Sequence, residues 1–279
     1  MMIGTQLVRE LVETTILTGH LTGHDPVSLL LLASPESGKT SIVLERDCKS
    51  VIDMTDVSGR SLQVLVQSNP EVSHFVINDM VAVLSHKQSV NQYTLSMLNA
   101  MTEEGIRTVA IGGNVMPAPV KGKRGIIASL TLDLARDQRR WWNATGFASR
   151  VLPFCYCYDE KLVIRIKDYI ETRSAAKSNE PKPFTVPAIK PTINLETIKA
   201  SVRELSDRKA KELGEKGIRR LKQFRGLVAA HALWRSWKNK SANEQDVQFL
   251  MNIYHHISYT NPVILGFKFQ DEKEAKKGE

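Results

Sequence analysis

Residues 29–45 read LLLLASPESGKTSIVLE. The left half is a short, continuous apolar run that stops at Ser34 and Pro35. Such a run reads as a strand buried on both faces, the kind found in parallel sheets. The right half closes in Gly38-Lys39-Thr40, the end of the phosphate-loop pattern G-x-x-x-x-G-K-[ST]. Ala33 stands where that pattern has its first glycine. It adds one methyl group and fits wherever the backbone keeps a negative φ. Residues 40–45 begin a helix. In this strand–loop–helix context, backbone N–H groups between Glu36 and Thr40 cradle a phosphate at a helix N-terminus. Lys39 reaches the β- and γ-phosphates, and the Thr40 hydroxyl ligates Mg²⁺. The expected nucleotide contacts are Pro35, Glu36, Ser37, Gly38, Lys39, Thr40 and Ser41, with ATP and Mg²⁺ as cofactors.

A loop of this kind needs an acid at the end of a neighbouring strand, to organise the metal ion and the attacking water. Residues 74–79, HFVIND, read as that strand and offer Asp79. Two adjacent acids are usual there, and here the pair is Asn78-Asp79, followed by Met80. Two assignments stay open. Asn78 replaces the metal-holding acid and Asp79 is the base, or Asp79 holds the metal and Met80 replaces the base. Asp79 is the essential acid in both, with Thr40 as its partner in holding Mg²⁺. The loss of one carboxylate points to slow hydrolysis.

Further strands are expected at residues 50–56, 106–113, 124–131 and 150–158. Helical periodicity covers residues 5–17, 90–104 and 159–173. Alternating strands and helices predict an α/β fold, a parallel sheet with helices on both faces. Residues 174–191 hold four prolines and read as a linker. Helices are expected at 195–213, 218–237 and 243–257, the last capped by Ser241. The expected organisation is a nucleotide-binding core (1–173), a linker (174–191), a small all-helical basic lid domain (192–265) and a disordered tail (266–279).

Composition is that of an ordinary globular chain of 279 residues, 42% hydrophobic and 24% charged. No apolar run approaches the roughly 18 residues of a membrane span, so no membrane partner is expected. Arg9, Glu10 and Glu13 interrupt the N-terminal apolar pattern, so it does not read as a secretory signal. Three cysteines (Cys48, Cys155, Cys157) suit free thiols in a reducing compartment, and the expected location is the cytoplasm. Cys155 and Cys157 read as core packing, and His20 and His24 as loop residues rather than metal ligands. The net charge is +8. Residues 201–240 hold twelve basic and four acidic residues, so twelve minus four accounts for all of it. A basic helical face is either a solvated surface or a nucleic-acid footprint. Arg136 to Trp142, RDQRRWW, reads as helix packing before base stacking.

The segment LSMLNAMTEEGIRTVAIGGNVMPAPVKGKRGIIASLT (residues 95–131) resembles AAA+ ATPases of the branch with a β-hairpin before the sensor strand, which includes MoxR-like and MCM-like proteins. The hairpin arms are residues 106–111 and 115–120 around Gly112-Gly113-Asn114, a turn that β-hairpins favour in any case. The resemblance implies Thr131 as the first sensor, where asparagine is usual. Residues 146–154, GFASRVLPF, are similar to the family's arginine-finger box, which assigns Arg150 to the neighbouring subunit's ATP. Residues 217–233 resemble its lid, with Arg219 as second sensor, Arg220 as the fallback, and His231 in a structural place. No separate substrate-recognition domain is expected ahead of the core.

The resemblance implies a ring-forming ATPase, with a homo-oligomer such as a hexamer as its first partner. Hydrolysis would drive DNA translocation, with DNA held by the basic lid and hairpin (Lys121, Lys123, Arg124), or the remodelling of a separate effector protein. The alternative is an ATP-dependent switch or assembly factor with slow or no hydrolysis. A small-molecule phosphotransferase has no use for an arginine acting in trans.

Overall fold

The structure is a computed structural model that describes residues 4–106, 108–111, 114–117, 122–172 and 182–265. Its strands are β1 (Ser28–Ala33), β2 (Arg46–Asp47), β3 (Val51–Met54), β4 (His74–Ile77), β5 (Thr108–Ile111), β6 (Asn114–Pro117), β7 (Gly125–Thr131), β8 (Val151–Cys157), β9 (Lys182–Pro183) and β10 (Val263–Ile264). Its α-helices are α1 (Gln6–Thr18), α2 (Lys39–Val43), α3 (Gly59–Ser68), α4 (Met80–Leu84), α5 (Gln88–Glu103), α6 (Leu132–Thr145), α7 (Glu160–Thr172), α8 (Lys199–Leu213), α9 (Ile218–Arg235) and α10 (Glu244–Tyr254). The main sheet runs β10-β8-β1-β7-β4-β3. Every neighbouring pair is parallel. This is the expected α/β architecture, with helices on both faces.

The apolar run explains why β1 lies at the centre. Leu29, Leu30, Leu31 and Leu32 are all 0% exposed. Successive side chains of a strand point to opposite faces. Leu29 and Leu31 accordingly join one apolar cluster, with Val8 and Leu11 of α1, Val202 of α8, Phe224 and Leu227 of α9 and Leu250 of α10. Leu30 and Leu32 join the other, with Leu62 of α3, Leu95 and Leu98 of α5 and Trp142 of α6. Fully burying one leucine contributes about 1.5–3 kcal/mol, so a strand of this composition is stable only when covered twice. The helices expected as a lid therefore share a core with α1 and one face of the sheet. Cys155 is buried in the strand core and Trp142 packs edge-on against Phe147.

Residues 182–191, the described part of the Pro-rich segment, lie against the core. β9 pairs with β2, and the Lys190 and Pro191 carbonyls accept hydrogen bonds from the Thr22 hydroxyl and amide. The cap expected at Ser241 is instead Asn243. Its side chain accepts from Gln245 N–H, and Asp246 returns a bond to the Asn243 N–H, a full capping box. The hairpin β5–β6 forms over residues 108–111 and 114–117; Asn114, expected in the turn, is the first residue of β6 and pairs with Ile111, while residues 107, 112–113 and 118–121 lie outside the described residues.

Charge inside the core is placed in pairs. His231 is stacked between Trp234 and Phe249 and bonded to Asp246 at 2.6 Å and Glu10 at 2.8 Å. This ties α1 to α9 and α10. Burial opposes its protonation, but the two carboxylates push its pKa above the ordinary value. His20, His74 and His256 behave in the opposite way. Burial pulls them down to about 4, 3 and 4 respectively. Below pH 6.5 the unfolded chain binds protons that these three refuse when folded, so stability falls as pH drops toward 4. The His231 contribution is complete below 6.5 and is lost as pH rises through its raised value. Thermal unfolding from pH 4 to 9 checks both signs. The wild type melts lower as pH falls below 6.5, and the deficit of His231→Gln against wild type shrinks as pH rises above 6.5. A deficit that stays constant across this range contradicts the assignment.

Candidate functional site

The C-terminal ends of β1, β4 and β7 converge. Ala33 is the last residue of β1 and pairs with Thr131, the last of β7. It keeps ordinary strand backbone, so the missing first glycine has no conformational consequence. The loop's left-handed positions are Gly38, at φ 72°, and Glu36, at φ 60°. Glycine takes this region freely, whereas an L-residue there costs roughly 1–2 kcal/mol. Glu36 is the one non-glycine residue with positive φ among the described residues. The strain in the loop sits there and not at Ala33.

Lys39 folds back over the loop. Its Nζ donates to Ala33 O at 2.9 Å, Ser34 O at 2.7 Å and Ser37 Oγ at 3.1 Å. Burial pulls its pKa below the ordinary lysine range, opposed by the charge of Asp79. Two tyrosines at the end of β8 hold the loop from below. The Tyr156 hydroxyl donates to Ser37 O at 3.2 Å, and the Tyr158 hydroxyl donates to the same oxygen. A trans peptide points its C=O and N–H in opposite directions. Clamping the Ser37 carbonyl toward β8 therefore aims the Gly38 N–H the other way, into the loop. The sequence gives no local signal for this clamp, because the partners are 119 and 121 residues apart.

The helix after the loop, α2, has five residues, so its dipole is short and the site leans on Lys39 and the backbone N–H groups. Thr40 and Ser41 are exposed at its start. Asp79 caps α4, with one carboxylate oxygen accepting from Val81 N–H at 2.9 Å. Asn78 is turned inward: its Oδ1 is buried and has no hydrogen-bond partner, and its carbonyl accepts from the Ser129 hydroxyl. Met80 is 0% exposed. Asp79 is thus the one carboxylate of this trio of positions and the one that faces the loop. Thr131 is half-buried and its hydroxyl makes no capping bond to α6. Among the described residues no group of three or more His, Cys, Asp or Glu could hold a metal ion. A hydroxyl and a carboxylate beside a phosphate loop fit Mg²⁺, a hard ion that takes few protein ligands alongside substrate phosphates.

Arg150 and Arg219 lie at the other end of the sheet. Arg150 precedes β8, whose first residue pairs with Ser28, the first of β1. From there to Ala33 is five strand steps, about 17 Å. Arg219 Nε donates to Glu103 Oε2 at 2.8 Å and its Nη1 to Ser149 Oγ at 3.0 Å. Arg150 Nη1 donates to Gly146 O at 2.7 Å, while its Nε is 3.7 Å from the same Glu103 oxygen. The two guanidiniums border a shallow cleft with Asp25, Glu103, Lys123 and Lys222. Arg220, the fallback second sensor, is 0% exposed and committed to Glu215 and Gln223.

Of the twelve cations in residues 201–240, six are ion-paired: Arg203, Arg208, Lys209, Arg219, Arg220 and Arg235. Lys222 and Arg225, exposed on α9 and without ion pairs, stand about one and two turns beyond Arg219.

Glu36→Gly is expected to raise the melting temperature by about 1–3 °C, through relief of the left-handed strain. A lower melting temperature contradicts the strain at Glu36. Tyr158→Phe is expected to weaken nucleotide binding about three- to tenfold, the worth of one positioning hydrogen bond. Unchanged affinity, read by calorimetry, contradicts the clamp.

No family model matches the chain, and no curated protein matches it. Among solved structures, the chain is similar to a protein from Cytophaga hutchinsonii provisionally assigned as an ATPase, with 12% identity and a TM-score of 0.48, over 98% of this chain and 86% of that one. It is also similar to a full-length MCM homolog from Methanopyrus kandleri, with 14% identity and a TM-score of 0.49, over 93% of this chain and 57% of that one.

Proposed function

We propose that this chain is an AAA+ ATPase that works as a ring of identical copies, each nucleotide site being completed by the next subunit. One observation carries the reading: the charged groups divide between the two ends of one sheet. Lys39, Thr40, Asp79 and Thr131 gather at the C-terminal end of the strands. Arg150 and Arg219 gather at the other, farther from their own loop than an arginine side chain spans. Two half-sites of this kind are complementary between copies and useless to each other within one.

In this reading Lys39 leaves the loop carbonyls for the terminal phosphates of ATP, and the Gly38 N–H, aimed by the tyrosine clamp, donates to the same group. Thr40 and Asp79 hold Mg²⁺, which neutralises charge on the phosphates when bound. The uncommitted Thr131 hydroxyl senses the γ-phosphate. Arg150, with Arg219 beside it, donates into the neighbour's site as charge develops in the transition state. With Asn78 turned inward and Met80 in the core, Asp79 alone does the work of two acids. Turnover is therefore slow, and the switch-like alternative differs from this reading only in degree. The hairpin is the element that meets the target. The unpaired cations Lys222 and Arg225 favour a polyanion such as DNA over an uncharged partner.

ATP turnover per chain is expected to rise with protein concentration. Arg150→Ala is expected to lower it by about 10³-fold without changing ATP affinity. Lys39→Ala is expected to abolish nucleotide binding. Turnover per chain that is independent of concentration contradicts the shared site, and ATP affinity that survives Lys39→Ala contradicts the loop. DNA affinity is expected to fall steeply with salt; a flat dependence excludes the cationic face.

A further inference from the structure

We propose that Glu103 is a resident stand-in for phosphate: it parks Arg150 and Arg219 in the isolated chain, is displaced by the terminal phosphate of a neighbour's nucleotide, and passes that displacement to the β5–β6 hairpin. The proposal rests on the shared-site reading above.

One carboxylate oxygen serves two guanidiniums, and it serves them unequally. It lies 2.8 Å from Arg219 Nε but 3.7 Å from Arg150 Nε, beyond hydrogen-bond range. Arg150 Nε is consequently buried without a hydrogen-bond partner. A terminal phosphate brings three acceptor oxygens and satisfies both arginines at once. Because Arg150 Nε is inaccessible with Glu103 in place, that bond forms only when the carboxylate moves.

The cleft is lined by Lys123, Arg150, Arg219 and Lys222 against Asp25 and Glu103, four minus two, or +2. Lys123 is already paired with Asp25 at 2.8 Å. What remains is three cations facing one carboxylate. Burial first, and then the proximity of Arg219, pulls the Arg150 pKa below the ordinary value, against the opposing charge of Glu103 and Glu104. A dianion offsets more of that repulsion than a monovalent carboxylate does.

Glu103 is held by the cations around it and not by its own helix: burial opposes its charge, but Arg219, Arg150 and Lys123 keep its carboxyl below the ordinary range. It is the last residue of α5, a helix of 16 residues, and the next residue, Glu104, caps the helix. Carboxylates are disfavoured at a helix C-terminus, where the dipole is negative. The Glu103 side chain is 31% exposed, so a swing into solvent meets no packed wall. Five residues further on, β5 begins. Between them Gly105, at φ 76°, has room for no side chain, because a Cβ would lie 3.0 Å from Gly122 O. Beside this close approach, the Arg124 N–H donates to Met101 O near the end of α5, so the chain that follows the hairpin also touches that helix end. In the proposal, a shift of the end of α5 reaches the hairpin through these contacts.

The test uses the Lys39→Ala chain, in which the phosphate loop is silenced, and inorganic tripolyphosphate as the probe. Adding Glu103→Gln is expected to tighten tripolyphosphate binding about fivefold, because an isosteric amide no longer competes as an anion. Glu103→Asp keeps the charge but shortens the reach, and is expected to tighten binding less than Glu103→Gln. Arg219→Ala is expected to abolish binding. In hydrogen exchange, tripolyphosphate is expected to change protection of residues 104–117 in the Lys39→Ala chain and to leave it unchanged once Glu103 is Gln. Affinity that is unchanged or weakened by Glu103→Gln overturns the proposal and makes Glu103 a scaffold for the arginines. Failure of the shared-site reading is separately visible, as ATP turnover that survives Arg150→Ala.

Discussion

The pairing of β1 with β7 on one edge and β8 on the other is the constraint from which the rest follows. It brings Ala33 level with Thr131 and Ser28 level with Val151. The first pairing sets the phosphate loop beside the end of β7. The second sets Arg150 at the opposite end of the same strand. β1 can sit between two parallel neighbours because its four leucines are buried on both faces, by α1, α8, α9 and α10 on one side and by α3, α5 and α6 on the other. The apolar burial that stabilises the strand also decides which chemistry stands at each end of it.

Each end is then tuned by partners remote in sequence. At the loop, Tyr156 and Tyr158 fix the Ser37 carbonyl, and Lys39 rests on the loop's own oxygens. At the cationic end, Glu103 gathers Arg219 and Arg150. Both ends hold an internal group where phosphate is proposed to act: an ammonium on carbonyls at one, a carboxylate on guanidiniums at the other. Binding at either end would exchange an internal contact for an external one. That is how a bound nucleotide would change the state of a chain whose core is otherwise closely packed. The His231 cluster, which ties α1 to α9 and α10, keeps the helices that carry Arg219 attached to the sheet while this happens.

Much of this is legible in the sequence. Four consecutive leucines before a loop-closing Gly-Lys-Thr specify a buried strand and its exit. The period of residues 90–104 specifies α5. The signals fail where structure depends on long-range partners or on very short elements. β2, β9 and β10 have two residues each, too few for any period. The α3 helix has a clear apolar face in Leu62 and Val66, but it opens on Gly59, a weak helix former that obscures where it begins. The Pro-rich composition of residues 182–191 indicates the absence of helix, yet says nothing about the hydrogen bonds to Thr22 that fasten the segment. Ser241 is a good cap by residue type, but Asn243 wins because Asp246 completes the box. Glu103 carried no motif at all, and its link to Arg219 spans 116 residues. Its one sequence signal was a pair of acids at a helix C-terminus, where the dipole opposes them.

Each nucleotide site is proposed to be assembled from the loop of one copy and the arginines of another. Mixing two inactive variants tests it directly. Lys39→Ala has arginines but no working loop, and Arg150→Ala has a loop but no arginine to offer. ATP turnover measured on the equimolar mixture should recover a substantial part of the wild-type rate, while each variant alone stays inactive. A mixture as inactive as its components, under conditions where the wild type turns over, would contradict the account.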